Sequence, residues 1–583
     1  MKRIISLSAS AILLVACGDR QADETTPEET SAVPQPEAVE TAALIPRTVI
    51  FGNPERTLAR ISPDGAWVSW LAPDNGVMNV WVAPADDPES ATVITHDDYR
   101  GIRNYFWAPN SEFIYYIQDD GGNENFHVYS ANIANGDVVD LTPVASGVRA
   151  QIEALSADHP DQLVVGLNER DSQVFDLYLV NGKTGKRELI QENPGFMAWV
   201  IDHDLEPQLG QAPTPDGGAN LVDMEGNVIA EIPTSDFLNT GAIGFNKGND
   251  AIYMIDSRER DKAALTTLSL DSGEISVLAE SDLADVSDVL IDARTHEPIA
   301  YNVNHLKSSW FALNDETAAD FEALKSELRG ALDIVATTQD MSKWVVHEDS
   351  ASKSGAYYIY DRDSKSVTKM LDQRPALEDY TLAPMQALEL KSRDGLTLVS
   401  YLTLPPGSDA NGDGTPEEAL PMMLWVHGGP WARNEYGYHS VHQWLANRGY
   451  AVLSVNYRGS TGFGKAFTRA SVGEWAGKMH DDLIDAVGWA INSGIAIEDR
   501  IAIGGGSYGG YATLVGLTFT PDTFACGVDI VGPSNLITLL ESFPDYWQTF
   551  LEGTFYLDLG NPANDEDRKF MMSRSPISRV DKI

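Results

Sequence analysis

Two folded domains of different class are predicted from the sequence, an all-β domain followed by a domain in which strands and helices alternate. The 583 residues exceed what a single compact core usually accommodates, so two or more domains are expected. Short strands separated by turns fill residues 46–382, whereas strands alternate with helices in residues 383–583. The hydrophobic and charged fractions of 43% and 22% are typical of globular proteins.

Residues 46–382 contain a loose repeat of turn-then-strand units. Ser62-Pro63-Asp64-Gly65 precedes the strand Ala66–Trp70, and Ala108–Ser111 precedes the strand Phe113–Tyr116. Units of this kind recur about every 40 to 50 residues, as in the blades of a β-propeller. Because one blade cannot bury its own faces, several must stack around an axis, and the span accommodates about seven. A β-sandwich pair or an irregular all-β domain is the alternative.

One helix is predicted inside this all-β region, over residues 320–332. Phe321, Leu324 and Leu328 recur there on one helical face. We interpret this segment as an insertion into the repeat.

The second domain shows the pattern of a parallel sheet covered by helices. Met422–Val426 and Ala451–Val455 are continuous apolar runs, as expected of strands that are buried on both faces. Lys478–Asn492 carries an apolar residue at every fourth position and predicts an amphipathic helix. Ile501–Ile503 is a third predicted strand. Alternation of this kind builds a mostly parallel sheet with helices on both faces.

A Gly-x-Ser-x-Gly sequence, Gly505-Gly506-Ser507-Tyr508-Gly509, lies between a buried strand and a predicted helix, Tyr511–Leu517. This is the context of the nucleophile elbow of an α/β-hydrolase domain, in which the serine sits on a strained, glycine-flanked turn. The turn would expose Oγ of Ser507 above the carboxyl edge of the sheet and at a helix N-terminus, where N–H groups stabilise a developing anion. We therefore predict Ser507 as a catalytic nucleophile. The alternative is a glycine-rich turn with an incidental serine.

A second turn, His427-Gly428-Gly429-Pro430, directly follows the strand Met422–Val426. Turns at this position of α/β-hydrolases supply an oxyanion donor, so we predict a donating backbone N–H near Gly429, opposite the N–H of Tyr508. A purely structural β-turn is the alternative. His427 precedes the serine on this oxyanion side, and we expect it to shape the turn and not to act as the general base.

Three motifs in order, His427–Pro430, Asn456–Gly464 and Gly505–Tyr511, resemble the prolyl oligopeptidase family, in particular its acylaminoacyl-peptidase and dipeptidyl-peptidase-like bacterial branch. The order of a propeller and then a hydrolase domain is also similar. The resemblance implies a serine peptidase without a cofactor or metal, in which Ser507 forms an acyl-enzyme with a short peptide, a His acts as base and an Asp orients that His. Some members of the family use a Tyr hydroxyl as an oxyanion donor, and that Tyr occupies the position of His427. The His at this position favours a backbone N–H as the donor here.

The family order of the triad is Ser, Asp, His, and this sequence departs from it. All 11 histidines precede Ser507, and the last of them is His480. Residues 575–583 resemble the segment before the strand that bears the family's catalytic Asp, so we expect the chain to be truncated at its C-terminus and inactive as given. Three aspartates follow Ser507 without the family's surrounding motif, and none is predicted to be catalytic: Asp529, Asp545 and Asp558.

The first 17 residues are similar to a bacterial lipoprotein signal peptide. Lys2 and Arg3 are followed by an apolar run, Ile4–Val15, that is too short to span a bilayer stably. Leu14-Val15-Ala16-Cys17 predicts cleavage before Cys17 and lipidation of its thiol, with an ordinary secretory signal as the alternative.

Either signal exports the protein, and Gly18 after the cysteine favours an outer-membrane lipid anchor. Residues 18–45 are rich in Glu, Thr, Pro and Ala and predict a disordered linker between the anchor and the folded body. The lipid is the only membrane contact that we predict.

Charge and cysteine content exclude several classes of function. A formal net charge of -45 disfavours a nucleic-acid partner, since phosphates would be repelled. Cys17 and Cys526, the only cysteines, cannot form a disulfide framework or a cysteine-rich zinc site, and we expect Cys526 to be a buried strand residue. Asp409–Gly414 has the spacing of a calcium loop, but its twelfth position is Leu420, so a polar loop is favoured over a calcium site.

Two other functions remain open from the sequence, a carboxylesterase on the same fold and an exported propeller module with a vestigial hydrolase domain. The predicted propeller disfavours the esterase, which needs no size filter. Three charged residues lie near the expected site and are candidates for binding peptide termini, with solvated surface roles as the alternative: Arg433, Glu435 and Arg458.

Overall fold

Seven blades arranged around an axis form the first domain of the computed structural model, which describes residues 43–583. The seven-bladed propeller predicted from the repeat is therefore confirmed. The predicted signal peptide over 1–17, its lipidation site Cys17 and nearly all of the predicted linker over 18–45 lie outside the described residues.

Six blades are four-stranded antiparallel sheets, and the sixth blade has three strands. The strands of blades one to three are β1 (Thr57–Ile61), β2 (Trp67–Asp74), β3 (Val77–Pro84), β4 (Thr92–Val93), β5 (Tyr105–Trp107), β6 (Phe113–Gln118), β7 (His127–Asn132), β8 (Val138–Asp140), β9 (Ala150–Leu155), β10 (Gln162–Leu167), β11 (Asp176–Asn181) and β12 (Arg187–Gln191).

The remaining blades follow the same order along the chain. Their strands are β13 (Ala198–Ile201), β14 (Pro207–Pro213), β15 (Ala219–Asp223), β16 (Val228–Ile232), β17 (Gly241–Phe245), β18 (Ala251–Asp256), β19 (Ala264–Ser269), β20 (Ile275–Ala279), β21 (Val286–Ile291), β22 (Pro298–Asn304), β23 (Ser308–Ala312), β24 (Ala331–Thr337), β25 (Lys343–Ser350), β26 (Lys353–Asp361) and β27 (Ser366–Asp372).

The blades are held together by apolar clusters between neighbouring sheets. Between blades one and seven, Trp70 packs with Val345 and Leu371, and the Tyr357 hydroxyl accepts a hydrogen bond from the Leu58 N–H at 3.1 Å. The last blade thus covers the open face of the first. This is the stacking that a single blade requires to bury its own apolar faces.

The predicted insertion is a helix, α2 (Asp315–Glu327), that packs along β23 of blade six, where the other blades have a fourth strand. It begins five residues earlier than predicted because the side chain of Asn314 caps it, accepting from the Thr317 N–H at 2.8 Å. Phe321 and Leu324 are buried, as their spacing indicates.

The second domain is built on a six-stranded sheet in the order β28-β29-β31-β30-β32-β33. β28 and β29 are antiparallel to their neighbours, whereas β31, β30, β32 and β33 run parallel. This is the predicted α/β-hydrolase architecture. The strands are β28 (Met385–Lys391), β29 (Thr397–Thr403), β30 (Leu420–Val426), β31 (Ala451–Val455), β32 (Ala496–Gly506) and β33 (Cys526–Ile530).

Helices cover this sheet, and none of the helices between residues 43 and 583 has the length and apolarity needed to cross a bilayer. The helices of the domain are α3 (Ser440–Ala446), α4 (Lys465–Arg469), α5 (Lys478–Asn492), α6 (Tyr508–Phe519), α7 (Leu536–Glu541), α8 (Phe555–Leu559) and α9 (Asp565–Arg574). Short 3₁₀ helices are Pro88–Ser90, Pro375–Asp379, Asp545–Phe550 and Pro576–Lys582.

The two domains also meet through the start of the described chain. The helix α1 (Arg47–Phe51) packs on α3, and the Phe51 and Trp444 rings lie 5.6 Å apart. The Ile45 N–H donates to the side chain of Asn447 at 2.7 Å. This segment therefore belongs structurally to the hydrolase domain, although it precedes the propeller in the sequence.

The carboxyl edge of the sheet faces the propeller. Arg433, in the loop after β30, donates to the carbonyl oxygens of Asn304 and His305 at 2.5 and 2.9 Å. Lys465, after β31, forms an ion pair of 2.6 Å with Asp236 of the propeller. The turn that carries Ser507 lies at this same edge.

Candidate active site

Ser507 occupies the single-residue turn between the end of β32 and the start of α6. Its φ of 56° and ψ of -118° lie outside the ordinary regions for a residue with a side chain, and the side chain is exposed. The Ser507 N–H donates to the Ile530 carbonyl, and the Ser507 carbonyl accepts from the Tyr511 N–H, both at 2.9 Å. The strained turn is thus fixed on both sides, and its hydroxyl points away from the core.

Glycines are required at this turn because it packs directly on β30. A Cβ atom at Gly505 or at Gly509 would collide with the carbonyl oxygen of Val426. A Cβ atom at Gly428 would lie 3.4 Å from Cβ of Ser507. The close approach brings the His427–Pro430 turn beside the serine, as the two motifs predict.

Two backbone donors beside Ser507 have no acceptor among residues 43–583. The N–H of Tyr508 is the first of α6 and, like other N–H groups of a first helical turn, has no partner within the helix. The N–H of Gly429 is also unpaired, and its φ of 119° favours glycine. These are the two donors that the sequence predicts for an oxyanion hole.

His427 is engaged at both ring nitrogens. Nδ1 lies 2.7 Å from the Gly428 carbonyl oxygen, which can only accept, so Nδ1 carries the proton. Nε2 lies 2.9 Å from the Ser460 hydroxyl, which donates to the Tyr457 carbonyl oxygen at 2.7 Å. The ring stacks on Tyr457 with centroids 4.4 Å apart. Burial lowers the pKa of the His427 imidazole to about 4. The imidazole therefore stays neutral and lies within the turn that the sequence analysis expects it to shape.

No general base lies beside Ser507 in the part of the chain that the structure describes. The Ser507 hydroxyl has no hydrogen-bond partner there. Asp529 on β33 accepts from the Gly532 N–H at 2.8 Å, and Asp545 accepts from the Ser172 hydroxyl at 2.7 Å. The structure thus joins the nucleophile to oxyanion donors but to neither a His nor an Asp.

The third aspartate, Asp558, is buried in α8 and has a structural role. It accepts from Nε1 of Trp475 at 3.0 Å and from the Ser471 hydroxyl at 3.3 Å. Burial raises the pKa of the Asp558 carboxyl to about 6. No histidine contacts it within the described residues.

The charged residues considered for peptide termini are engaged elsewhere. Arg458 is buried and pairs with Asp482 at 2.6 Å and with Asp394 at 2.8 Å. Arg433 binds propeller carbonyl groups, and Glu435 accepts from the side-chain amide of Asn304 at 3.0 Å. Arg458 and Arg433 thus hold the domain and its interface together, whereas Glu435 is exposed and contacts the propeller at Asn304.

An aromatic wall near the serine was missed by the sequence analysis. Trp431 follows the oxyanion turn, and its ring lies 4.9 Å from that of Phe555. Phe543 lies 4.7 Å from Phe555 and from Trp547. The density of aromatic residues between 543 and 555 is the signal that could have indicated this wall. Phe555 is buried, and the other three rings pack against the core of the hydrolase domain.

The Asp409–Gly414 loop uses its carboxylate on its own backbone. The carboxylate of Asp409 accepts from the N–H groups of Gly412 and Gly414, both at 2.9 Å. Among residues 43–583, no group of three His, Cys, Asp or Glu side chains is arranged to hold a metal ion. The loop conformation is set by these turns.

Known proteins share both the sequence and the architecture. Residues 436–583 match the model of the prolyl oligopeptidase family. Dipeptidyl aminopeptidase BIII of Pseudoxanthomonas mexicana is 47% identical over 545 residues, which cover 93% of this chain and 79% of that protein. Dipeptidyl peptidase family member 6 of Caenorhabditis elegans is 34% identical over 574 residues, covering 93% and 77%.

Two solved structures show the same fold at low sequence identity. A puromycin-hydrolyzing peptidase of Mycobacterium tuberculosis superposes with a TM-score of 0.67 at 17% identity, over 92% of this chain and 85% of that one. A structure from a study of two prolyl endopeptidases gives 0.69 at 12% identity, over 91% and 79%. The family match and the two sequence relatives show that the chain belongs to the prolyl oligopeptidase family of serine peptidases.

Proposed function

We propose that the protein removes dipeptides from the free N-terminus of short peptides through an acyl-enzyme on Ser507. The observation that carries this proposal is the exposed, strained Ser507 beside two unpaired N–H groups, those of Gly429 and Tyr508. The dipeptidyl specificity is suggested by the names of the two relatives that align with 93% of the chain.

In the proposed reaction, Oγ of Ser507 attacks the carbonyl carbon of the second substrate residue. The carbonyl oxygen becomes an oxyanion that accepts from the N–H groups of Gly429 and Tyr508. Collapse of this intermediate breaks the C–N bond, the serine proton leaves with the amine through a general base, and the dipeptidyl ester stays on Oγ. Water then hydrolyses the ester and frees the dipeptide.

The propeller supports a preference for short peptides. Its contacts through Arg433 and Lys465 lie on the same edge of the sheet as Ser507. A folded protein would have to displace those contacts to reach the serine, whereas a short peptide would not.

The general base belongs to a His that the 583 residues do not place after Ser507. A form of the protein without this base should hydrolyse peptides very slowly. Loss of one triad member lowers kcat by roughly 10⁴-fold or more, while the oxyanion donors still contribute.

A fluorophosphonate probe and the anilide Ala-Phe-p-nitroanilide test the proposal. The chain is compared with a version extended after residue 583 by a segment that carries the Asp and His, and with Ser507→Ala in each. We expect rapid labelling of Ser507 and release of Ala-Phe only in the extended chain, with labelling of the 583-residue chain about 10⁴-fold slower. Neither Ser507→Ala form should react.

Several outcomes would contradict the proposal. Labelling at a residue other than Ser507 excludes the nucleophile. Release of single residues or internal cleavage excludes dipeptidyl specificity, and turnover of a nitrophenyl ester without the anilide indicates a carboxylesterase. If the extended chain neither reacts with the probe nor cleaves either substrate, the hydrolase domain is non-catalytic.

We also propose that the protein is exported and anchored to the outer membrane through a lipid on Cys17. The support is the sequence Leu14-Val15-Ala16-Cys17 after a short apolar run. Incorporation of labelled palmitate into the wild type, and its absence in Cys17→Ala, is the expected result. Equal labelling of both proteins would exclude lipidation at this cysteine.

A further inference from the structure

The most exposed aromatic side chain between residues 43 and 583 lies in the connection between blades one and two. This connection runs from the end of β4 at Val93 to the start of β5 at Tyr105, and Tyr99 near its middle is 76% exposed. A ring exposed to this degree adds little to packing, whereas aromatic side chains are enriched where proteins contact partners. The position of this ring in the fold decides what it can contact.

The connection lies on the propeller face that carries the hydrolase domain. The corresponding connections of later blades bind that domain. Arg149, directly before β9, donates to the hydroxyl of Tyr546 at 3.2 Å, and Tyr546 precedes Trp547 of the aromatic wall. Asp236, before β17, forms the 2.6 Å ion pair with Lys465. Because connections between blades leave a propeller on one face, this connection lies on the same side as the carboxyl edge of the sheet.

A continuous series of contacts joins the connection to Arg149. The Arg149 guanidinium also donates to the Glu124 carbonyl of blade two at 3.1 Å. The Glu124 N–H donates to the Asp119 carboxylate at 3.0 Å, and this carboxylate lies 3.7 Å from the guanidinium of Arg100. Arg100 directly follows Tyr99. The exposed ring is therefore linked through blade two to the segment that carries the aromatic wall.

The connection is held in one shape by Asp97. Its carboxylate accepts from the N–H groups of Tyr99, Arg100 and Gly101 at 3.0, 2.8 and 2.7 Å. The fully buried side chain of Asn79 binds both the backbone N–H and the carbonyl of Asp97, each at 2.9 Å. A preorganised aromatic side chain loses little conformational entropy when a ligand contacts it.

Blades one and two contribute no hydrogen bond or ion pair between the domains within residues 43–583. Those contacts come from blades three to seven and from the segment before β1. In the same part of the chain, the Tyr99 hydroxyl has no hydrogen bond and its ring stacks on no other aromatic or guanidinium group. The ring is therefore available to a ligand at the rim of the space between the domains.

We propose that Tyr99 contacts substrate residues on the C-terminal side of the cleaved bond and favours an aromatic side chain there. This inference rests on the proposed dipeptidyl function. In that reaction the first two residues lie at Ser507, whereas the rest of the peptide extends toward solvent, where a largely exposed ring can meet it. The ligand class is a short peptide with an aromatic residue beyond its second position.

Peptide binding to the Ser507→Ala form of the 583-residue chain tests this without turnover. Isothermal titration calorimetry compares Ala-Phe-Tyr-Tyr-Tyr with Ala-Phe-Ala-Ala-Ala. The Ser507→Ala form should bind the aromatic peptide about 3- to 10-fold more tightly, the range expected for an aromatic pair. Adding Tyr99→Ala should remove this preference by weakening the aromatic peptide alone. Tyr99→Phe keeps the ring and should retain the preference.

Tyr450→Ala is the matched control. Tyr450 is also exposed, at 39%, but it directly precedes β31 and so lies at the edge of the sheet opposite Ser507. Its replacement should leave both affinities unchanged. Asp97→Ala keeps the Tyr99 ring but removes the acceptor that fixes the connection, so it should also lower the preference, and it serves as a second variant if Tyr99→Ala does not fold.

Kinetics of the extended chain add a second readout. Tyr99→Ala should raise KM for the aromatic peptide by the same 3- to 10-fold and leave kcat unchanged, because the contact is equally present in the ground state and the transition state. A merely structural role would change the constants for both peptides alike.

The outcomes separate this inference from the proposed function. If the folded Tyr99→Ala variant keeps the preference for the aromatic peptide, Tyr99 does not contact the substrate, whatever the reactivity of Ser507. If Tyr99→Ala loses the preference while Ser507 fails to react with fluorophosphonate in the extended chain, the peptide contact stands and the peptidase proposal falls. Equal weakening of Ala-Phe-NH2 and of the aromatic peptide in Tyr99→Ala would overturn the assignment to residues beyond the cleaved bond.

Discussion

Ser507 lies between two parts of one sheet that differ strongly in burial. On one side are β30 and β31, and all five residues of β31 are buried. On the other side is the edge strand β33, where Val528 is 47% and Ile530 42% exposed. β32, which leads into Ser507, pairs with a strand of each part.

The difference in burial between the two parts of the sheet corresponds to a difference in what each part contributes to the candidate site. The buried side holds the His427–Pro430 turn and therefore the Gly429 donor, with its geometry fixed by packing. Within residues 43–583, the exposed side contributes the Ile530 carbonyl that accepts from the Ser507 N–H. The oxyanion half of the site is thus preorganised by the described residues, whereas no base approaches from either side within them.

The largest expected effect concerns the buried ion pairs on the side of β31. Arg458→Ala leaves the buried carboxylate of Asp482 without its partner and should lower the free energy of unfolding by about 3 to 5 kcal/mol. Denaturant unfolding of the 583-residue chain measures it. Arg568→Ala removes an exposed ion pair with Glu541 and should lower the free energy of unfolding by about 1 kcal/mol or less. Equal losses would contradict the contrast between the two parts.

A smaller effect is expected where the turn of Ser507 packs on β30. Gly505→Ala places a Cβ atom against the Val426 carbonyl, and overpacking of this kind destabilises proteins by about 1 to 3 kcal/mol. The neighbouring Gly506 is a matched control, since its nearest atom beyond adjacent residues would be 3.8 Å away, at Ile530. Gly506→Ala should therefore be close to neutral in the same unfolding measurement. A larger loss of stability for Gly506→Ala than for Gly505→Ala would contradict the assignment of the tight contact to Gly505.

Burial of His427 makes the oxyanion side sensitive to acid. Its pKa is lowered to about 4 in the folded protein by burial, from an ordinary value of about 6.5. Between these values the unfolded chain binds more protons, so the stability contributed by neutral His427 is present above pH 6.5 and is lost as pH falls toward 4. About 1 to 2 kcal/mol should be lost between pH 6.5 and 5. In His427→Gln this part of the pH dependence should be absent from the free energy of unfolding; an unchanged slope would show that His427 is not buried as a neutral ring.

Local sequence was sufficient for the features that depend on neighbouring residues. The turn at Ser507 follows from glycines and a preceding apolar strand, and α5 has the bounds Lys478–Asn492 that its apolar spacing predicts. The start of α2 was misplaced because the cap at Asn314 lies before the apolar stripe. Short-range patterns thus predict the nucleophile turn and most elements around it.

Features that depend on distant residues were not predictable in this way. Arg458 was a candidate ligand because it follows a strand near the site, but its partner Asp394 precedes it by 64 residues. Charged residues acquire their roles from contacts of this range, which one sequence does not reveal.

The smallest expected effect tests the exposed part of the sheet at Cys526. Cys526 was expected to be a buried strand residue, but the structure exposes it, because β33 pairs with β32 alone within residues 43–583. In a Cys17→Ser background, the Cys526 thiol should react with a thiol reagent under native conditions nearly as fast as in denaturant. Cys526→Ser should change the free energy of unfolding by less than about 0.5 kcal/mol, as surface substitutions do. A thiol that is protected from the reagent, together with a larger loss of stability in Cys526→Ser, would mean that β33 is covered in solution. The two parts of the sheet beside Ser507 would then be similarly buried.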